Sequence, residues 1–136
     1  MTRCLGLDIG DRRIGVALSD PNGILATPLD TINRTDEEAD IAAINRIISQ
    51  HQVGKIIIGL PRSMDGSIGS QAEKVKTFTE GLSRHIKVPL EFRDERLSTV
   101  SAQRLMRDTK KTSRKAEDDA VAAAIILQAY LDETRL

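Results

Sequence analysis

Three acidic residues stand where a carboxylate is costly to place. Asp8 lies within the apolar run 3–9, wedged between Leu7 and Ile9. An unpaired carboxylate beside a core is strongly penalised unless charge or hydrogen bonds compensate it. Taken alone, Asp8 is read more simply as an acceptor for the Gly10 turn or a partner of Arg12 or Arg13. Glu95 ends the run 88–95, at the kind of strand end where ligand crevices of open sheets gather. A surface pair with Arg93 or Arg96 is equally consistent with its position. Asp119 opens an Ala-rich segment, with Ala122, Ala123 and Ile126 at +3, +4 and +7 placing it on an apolar helical face. An acid near a helix start also interacts well with the helix dipole. Asp118 has a similar face through Val121, Ala122 and Ile125, so spacing leaves both acids open.

Jointly, the three suggest a specific chemistry. Carboxylates meeting at one sheet edge offer only oxygen ligands, which select hard divalent cations such as Mg²⁺ or Mn²⁺. His51 and His85 fall far from these acids in sequence and Cys4 is the single cysteine, so a zinc site is disfavoured. Two ions roughly 3.5–4 Å apart activate a water, steady a leaving oxygen and neutralise charge developing on phosphorus. No Ser-His or Cys-His pairing is evident, which argues against a side-chain nucleophile.

The basic residues suit a phosphate partner. Net charge is zero, from 20 basic and 20 acidic residues, but the distribution is uneven. Between Arg96 and Lys115 lie Arg96, Arg104, Arg107, Lys110, Lys111, Arg114 and Lys115 against one acid, Asp108. Arg12 and Arg13 follow Asp8 closely, and Arg62 sits in the loop GLPRSMDGSIGS ahead of a helix start, where anions bind readily. Arg12, Arg13, Arg62, Arg96, Arg107, Lys110 and Lys111 are the candidate backbone contacts; a solvated face and a flexible capped loop are the plainer alternatives. The three aromatics, Phe78, Phe92 and Tyr130, are too few for a base-stacking platform.

The elements that must position these residues follow from periodicity. Runs 3–9, 13–20 and 24–32 read as strands joined by short turns, an antiparallel meander with Pro28 marking an edge. Thr35 and Glu38 form a capping box before a helix bearing Ile41, Ile44, Ile47 and Ile48. KIIIGL (55–60) reads as a strand covered on both faces. Ser70 and Glu73 form a second capping box, opening a helix through Val75, Phe78 and Leu82. Residues 88–95 make a fifth strand. Ser98 or Thr99 caps a helix bearing Ala102, Leu105 and Met106, then a polar loop (109–115) precedes a final helix, 117–132. Crossover helices imply parallel pairing of the later strands. The expected architecture is α/β, a five-stranded mixed sheet with helices on both faces. Gly10 and Gly15 permit close backbone approach, and Ala122–Ala124 lets the last helix lie near the sheet.

At 136 residues, with 40% apolar and 29% charged, the chain is expected to form a single folded domain over 1–136. One cysteine suits a reducing compartment. No apolar stretch approaches a membrane span and no signal-peptide layout is visible, so a cytoplasmic location is expected.

The stretches LGLDIGDRRIGVALSD, IIIGLPRSMDGSIGSQAEKVKTF, FRDERLST and DAVAAAIILQAYL, in this order along nearly the whole chain, closely resemble the YqgF (RuvX-like) family. The resemblance implies the RNase H-like fold of Holliday-junction resolvases and a nuclease that trims the precursor of 16S rRNA in ribosome biogenesis. It carries the family's acids onto Asp8, Glu95 and Asp119, choosing Asp119 over Asp118, as ligands for Mg²⁺ or Mn²⁺. Where RNase H itself has a carboxylate on the fourth strand, this chain has Gly59-Leu60-Pro61, and Glu95 or, less directly, Asp65 would substitute. The implied partner is nucleic acid, precursor rRNA or structured DNA, with the protein a monomer or weak homodimer. The alternatives are a Holliday-junction DNA nuclease and a non-catalytic RNA- or protein-binding factor. A two-lobed actin- or hexokinase-like ATPase shares the first glycine-rich motif but needs a second lobe that 136 residues do not supply.

Overall fold

Alternation along the strands divides this chain into two cores on either side of one sheet. The computed structural model describes residues 3–61, 69–94 and 115–134. Its strands are β1 (Arg3–Ile9), β2 (Arg13–Ser19), β3 (Ala26–Asn33), β4 (Val53–Leu60) and β5 (Leu90–Asp94); its helices are α1 (Glu37–His51), α2 (Ser70–Ser83) and α3 (Lys115–Thr134). The sheet order is β3-β2-β1-β4-β5. β1, β2 and β3 pair antiparallel as a meander, and β4 pairs parallel with both β1 and β5. The expected mixed sheet is therefore present. Pro28 lies on the edge strand, where a missing N–H costs no ladder bond. A bulge leaves Leu29 without a partner on β2.

On one face Leu5, Leu7, Ile9, Ile14, Val16, Ile56 and Ile58 pack against Ile41 and Ile44 of α1 and Val75, Phe78 and Leu82 of α2. On the other, Ala17 and Ile57 meet Ala123, Ala124, Ile126, Leu127 and Leu131 of α3. The second core is built from smaller residues, so α3 comes closer to its strands. Among the described residues no helix is long and apolar enough to cross a membrane.

Two helix starts differ from expectation by one residue. Asp36, not Thr35, caps α1, its carboxylate accepting from the Ala39 N–H at 2.8 Å. Thr35 instead gives its N–H to Asp40. α2 is capped by the backbone of Gly69 with no side-chain bond, leaving Ser70 as the first helical residue. The helix expected from Ser98 or Thr99 lies outside the described residues.

Polar clamps fix the C-terminal half of α3. The Gln128 side chain accepts from the Ala26 N–H (2.8 Å) and donates to the Ile24 carbonyl (2.9 Å), tying the helix to the β2–β3 turn. Lys55 on β4 donates to the Tyr130 hydroxyl (2.8 Å) and pairs with Glu91 (2.9 Å); the Tyr130 bond first, then Glu91, raises the Lys55 pKa. Arg93 on β5 forks onto both oxygens of Glu133 at 2.5 and 2.7 Å, holding that carboxyl below its ordinary range. With that half anchored, the direction of α3 delivers its N-terminal part to the β1–β2 hairpin.

Candidate active site

Asp8 is the sixth residue of β1 and faces away from its neighbours Leu7 and Ile9, which are buried under α1 and α2. Its cross-strand partner is Gly15 of β2, and directly paired residues share a face. Gly15 lies against the N-terminal part of α3: a Cβ built on it would stand 1.9 Å from the carbonyl oxygen and 2.4 Å from the carbonyl carbon of Asp119. No rotamer relieves a clash with backbone. Asp8 and Asp119 are thus brought to one face of the sheet, with a glycine between them as the seat of the helix. Gly6 repeats the arrangement further along, its Cβ position 2.8 Å from Leu127 Cβ and 2.9 Å from the Ala123 carbonyl oxygen. Close approach was expected at Gly15 but not at Gly6. The visible signal was a small or acidic residue at every second position of β1 and β2, namely Gly6, Asp8, Gly15 and Ala17.

Asp119 accepts from Arg13 Nε at 2.5 Å, with the two side chains about a third exposed (31% and 29%). An ion pair this exposed stabilises the fold by under about 1 kcal/mol. Its larger consequence is electrostatic: a guanidinium offsets one of two acids gathered at a common edge. Arg13, expected either beside Asp8 or on a nucleic-acid phosphate, gives its Nε–H to Asp119 in the structure. Arg12 is exposed on the turn between β1 and β2.

The parallel strands end together. Leu7 pairs with Ile58 on β4, and Leu60 pairs with Asp94, the last residue of β5. This is the carboxyl edge of the parallel part of the sheet, where open sheets bind ligands. Glu95 is joined directly to Asp94 but, with Arg62, Asp65, Arg96, Arg107, Lys110 and Lys111, lies outside the described residues. Arg93, on β5, pairs with Glu133 of α3.

Among the described residues no group of three or more His, Cys, Asp or Glu side chains gathers as a metal cage. The donor chemistry nonetheless fits a hard cation. Asp8 and Asp119 supply carboxylate oxygens, while Cys4 lies near the start of β1 and His85 follows α2 on the opposite side of the sheet.

The fold and sequence both have relatives. Residues 2–133 match the family model described as RuvX, Holliday junction resolvase. A candidate pre-16S rRNA nuclease of Dehalococcoides mccartyi is 50% identical over 126 residues, covering 93% of this chain and 95% of that protein. Proteins of the same name from Gloeobacter violaceus (49% identical, 96% and 84% covered) and Thermoanaerobacter pseudethanolicus (44%, 98% and 98%) are similar along their length. Among solved structures, Thermus thermophilus RuvC in complex with a Holliday junction substrate superposes with a TM-score of 0.66 at 9% identity, covering 99% of this chain and 97% of that one. The fowlpox virus resolvase bound to junction DNA gives 0.57 at 12%, covering 98% and 99%. These likenesses identify the sheet and its helices as the RNase H-like fold.

Proposed function

The chain belongs to the RuvX family, and from that membership we propose that it is a metal-dependent nuclease that hydrolyses phosphodiester bonds in the precursor of 16S rRNA. The observation that carries this reading is the placement of Asp8 and Asp119 on one face of the sheet, either side of Gly15, at the end where β5 leads on to Glu95. Asp8, Glu95 and Asp119 would hold one or two Mg²⁺ or Mn²⁺ ions, which when bound supply an activated water and charge neutralisation at phosphorus. Arg13 keeps Asp119 compensated while metal is absent and stands beside the site to meet a phosphate. Arg12, exposed on the neighbouring turn, would contact the next one, and Arg62, Arg96, Arg107, Lys110 and Lys111 would hold the backbone further out. The whole of 1–136 acts as one nuclease domain in this reading.

The RNA substrate is favoured by the names of relatives sharing 44–50% of their residues over nearly the full chain. A four-way DNA junction is the second substrate, favoured by the family's description and by the RuvC likeness. Incubating the pure protein with labelled precursor rRNA and with a four-way junction, each in Mg²⁺, Mn²⁺ or EDTA, tests both. Metal-dependent cuts in the RNA support the proposal; cuts confined to the junction would transfer the activity to DNA.

The same reading separates the two neighbouring acids of α3. Adjacent helical side chains diverge by about 100°, and Asp119 is the one whose backbone rests on Gly15 and whose carboxylate meets Arg13. Asp119→Asn is expected to lower metal-dependent cleavage by roughly 100-fold with little change in melting temperature. Asp118→Asn should stay within about threefold of the parent, as for a surface change away from the ligands. Parallel cleavage assays decide this, and equal mild effects would mean that α3 only packs.

A further inference from the structure

We propose that Arg34 and Asp40 are positioning residues for this site, a clamp behind the sheet that holds the β1–β2 turn and through it Asp8, Arg12 and Arg13. The inference rests on the nuclease reading above.

Asp40 is 2% exposed, in the first turn of α1. It accepts from Arg34 Nε at 3.1 Å and from the Thr35 N–H at 3.1 Å. Burying an ion pair is a poor way to gain stability, because desolvation of both charges opposes their attraction. What the pair provides is direction. Arg34 uses its other arm, Nη1, to donate to the Gly10 carbonyl at 2.9 Å, and its backbone N–H donates to the Arg12 carbonyl at 2.9 Å. Its guanidinium carbon lies 4.8 Å from the centre of the Phe78 ring on α2, a cation–π contact that restrains the fork's orientation. The turn is therefore gripped at both ends by one residue, and Asp40 sets that residue's plane.

The turn itself has little slack. The Gly10 N–H donates to the Arg13 carbonyl at 2.9 Å, and any side chain at Gly10 would start 2.9 Å from that same oxygen. Asp8 enters the turn and Arg13 leaves it for Asp119, so a shift of Gly10 or Arg12 is passed to groups on the opposite face. Lysine cannot replace the clamp, since an ammonium offers no planar fork to bridge Asp40 and Gly10 at once.

The test compares the full-length parent with Arg34→Lys, which keeps a positive charge opposite Asp40, and with the doubly neutral Arg34→Gln/Asp40→Asn. Mn²⁺ affinity is measured by calorimetry, and kcat and KM on labelled precursor rRNA well below the melting temperature. A folded Arg34→Lys should bind Mn²⁺ on the order of tenfold more weakly and lose on the order of tenfold in kcat, with KM changed by less than about twofold. A purely structural role would lower the melting temperature and leave those values for the folded protein unmoved. If Arg34→Lys does not fold, the double variant is judged by the same two numbers. A parent that neither binds Mn²⁺ nor cleaves overturns the nuclease reading and this inference with it. A competent parent matched by the folded variant overturns this inference alone.

Discussion

Gly15→Ala is expected to destabilise the protein by about 3 kcal/mol and to weaken metal binding together with it. A methyl group there would begin 1.9 Å from the Asp119 carbonyl oxygen and 2.4 Å from its carbon, less than the separation that unbonded atoms tolerate. Neither atom belongs to a side chain that can rotate away, so α3 must lift or β2 must bend. The C-terminal half of α3 resists lifting, because Gln128, Tyr130 and Glu133 tie it to the β2–β3 turn, β4 and β5. The strain therefore falls on the N-terminal part of α3, which carries Asp119. With total stability of about 5–15 kcal/mol for a domain, the fold should survive with a melting temperature lower by roughly 10 °C. Gly69→Ala is the matched control: Gly69 has φ −92° with nothing within 4 Å of a Cβ built on it among the described residues, and its replacement should change stability by less than about 1 kcal/mol. Thermal melts and Mn²⁺ titrations of both variants check this. A Gly15→Ala that melts like the parent would show that α3 does not sit on that glycine.

The sheet was legible in the sequence because its signals are local. Alternation in RCLGLDI and RIGVALS, the short turns and Pro28 at an edge all act within a few residues, and the parallel pairing of the later strands followed from crossover helices. The starts of α1 and α2 were off by one because Thr35, Asp36, Gly69 and Ser70 are all acceptable caps, and local propensity does not choose between adjacent ones; α3 runs Lys115–Thr134, two residues longer at each end than the expected 117–132. The choice of Asp119 as the partner of Asp8 needed the family resemblance, since periodicity alone left Asp118 equally eligible. Two features had no local signal. Arg13 and Asp119 are 106 positions apart, and their pairing exists only because Gly15 lets α3 descend. Arg34 and Asp40 read as ordinary charges around a helix start; only packing of α1 and α2 on the sheet buries Asp40 and turns Arg34 toward Gly10. Gly6 likewise became a seat for Leu127 once α3 was known to cross β1.

The largest effect on activity belongs to Asp8→Asn. Asparagine keeps the shape and the cross-strand pairing with Gly15 but removes the charge that a hard cation requires of its ligand. The fold should persist, because the substitution conserves the volume and planarity of the side chain. Cleavage should fall by at least about 100-fold, since the proposed nuclease reading makes Asp8 a metal ligand rather than merely a residue that supports one. The deciding measurement is a side-by-side cleavage assay of the parent and Asp8→Asn on labelled precursor rRNA in Mn²⁺, with the fold of each verified by its thermal melt. The parent's cleavage is expected to be abolished by EDTA and restored by Mn²⁺, beside a folded Asp8→Asn that cuts at no more than about a hundredth of its rate. A folded Asp8→Asn that cuts as fast as the parent would show that Asp8 holds no metal needed for cleavage.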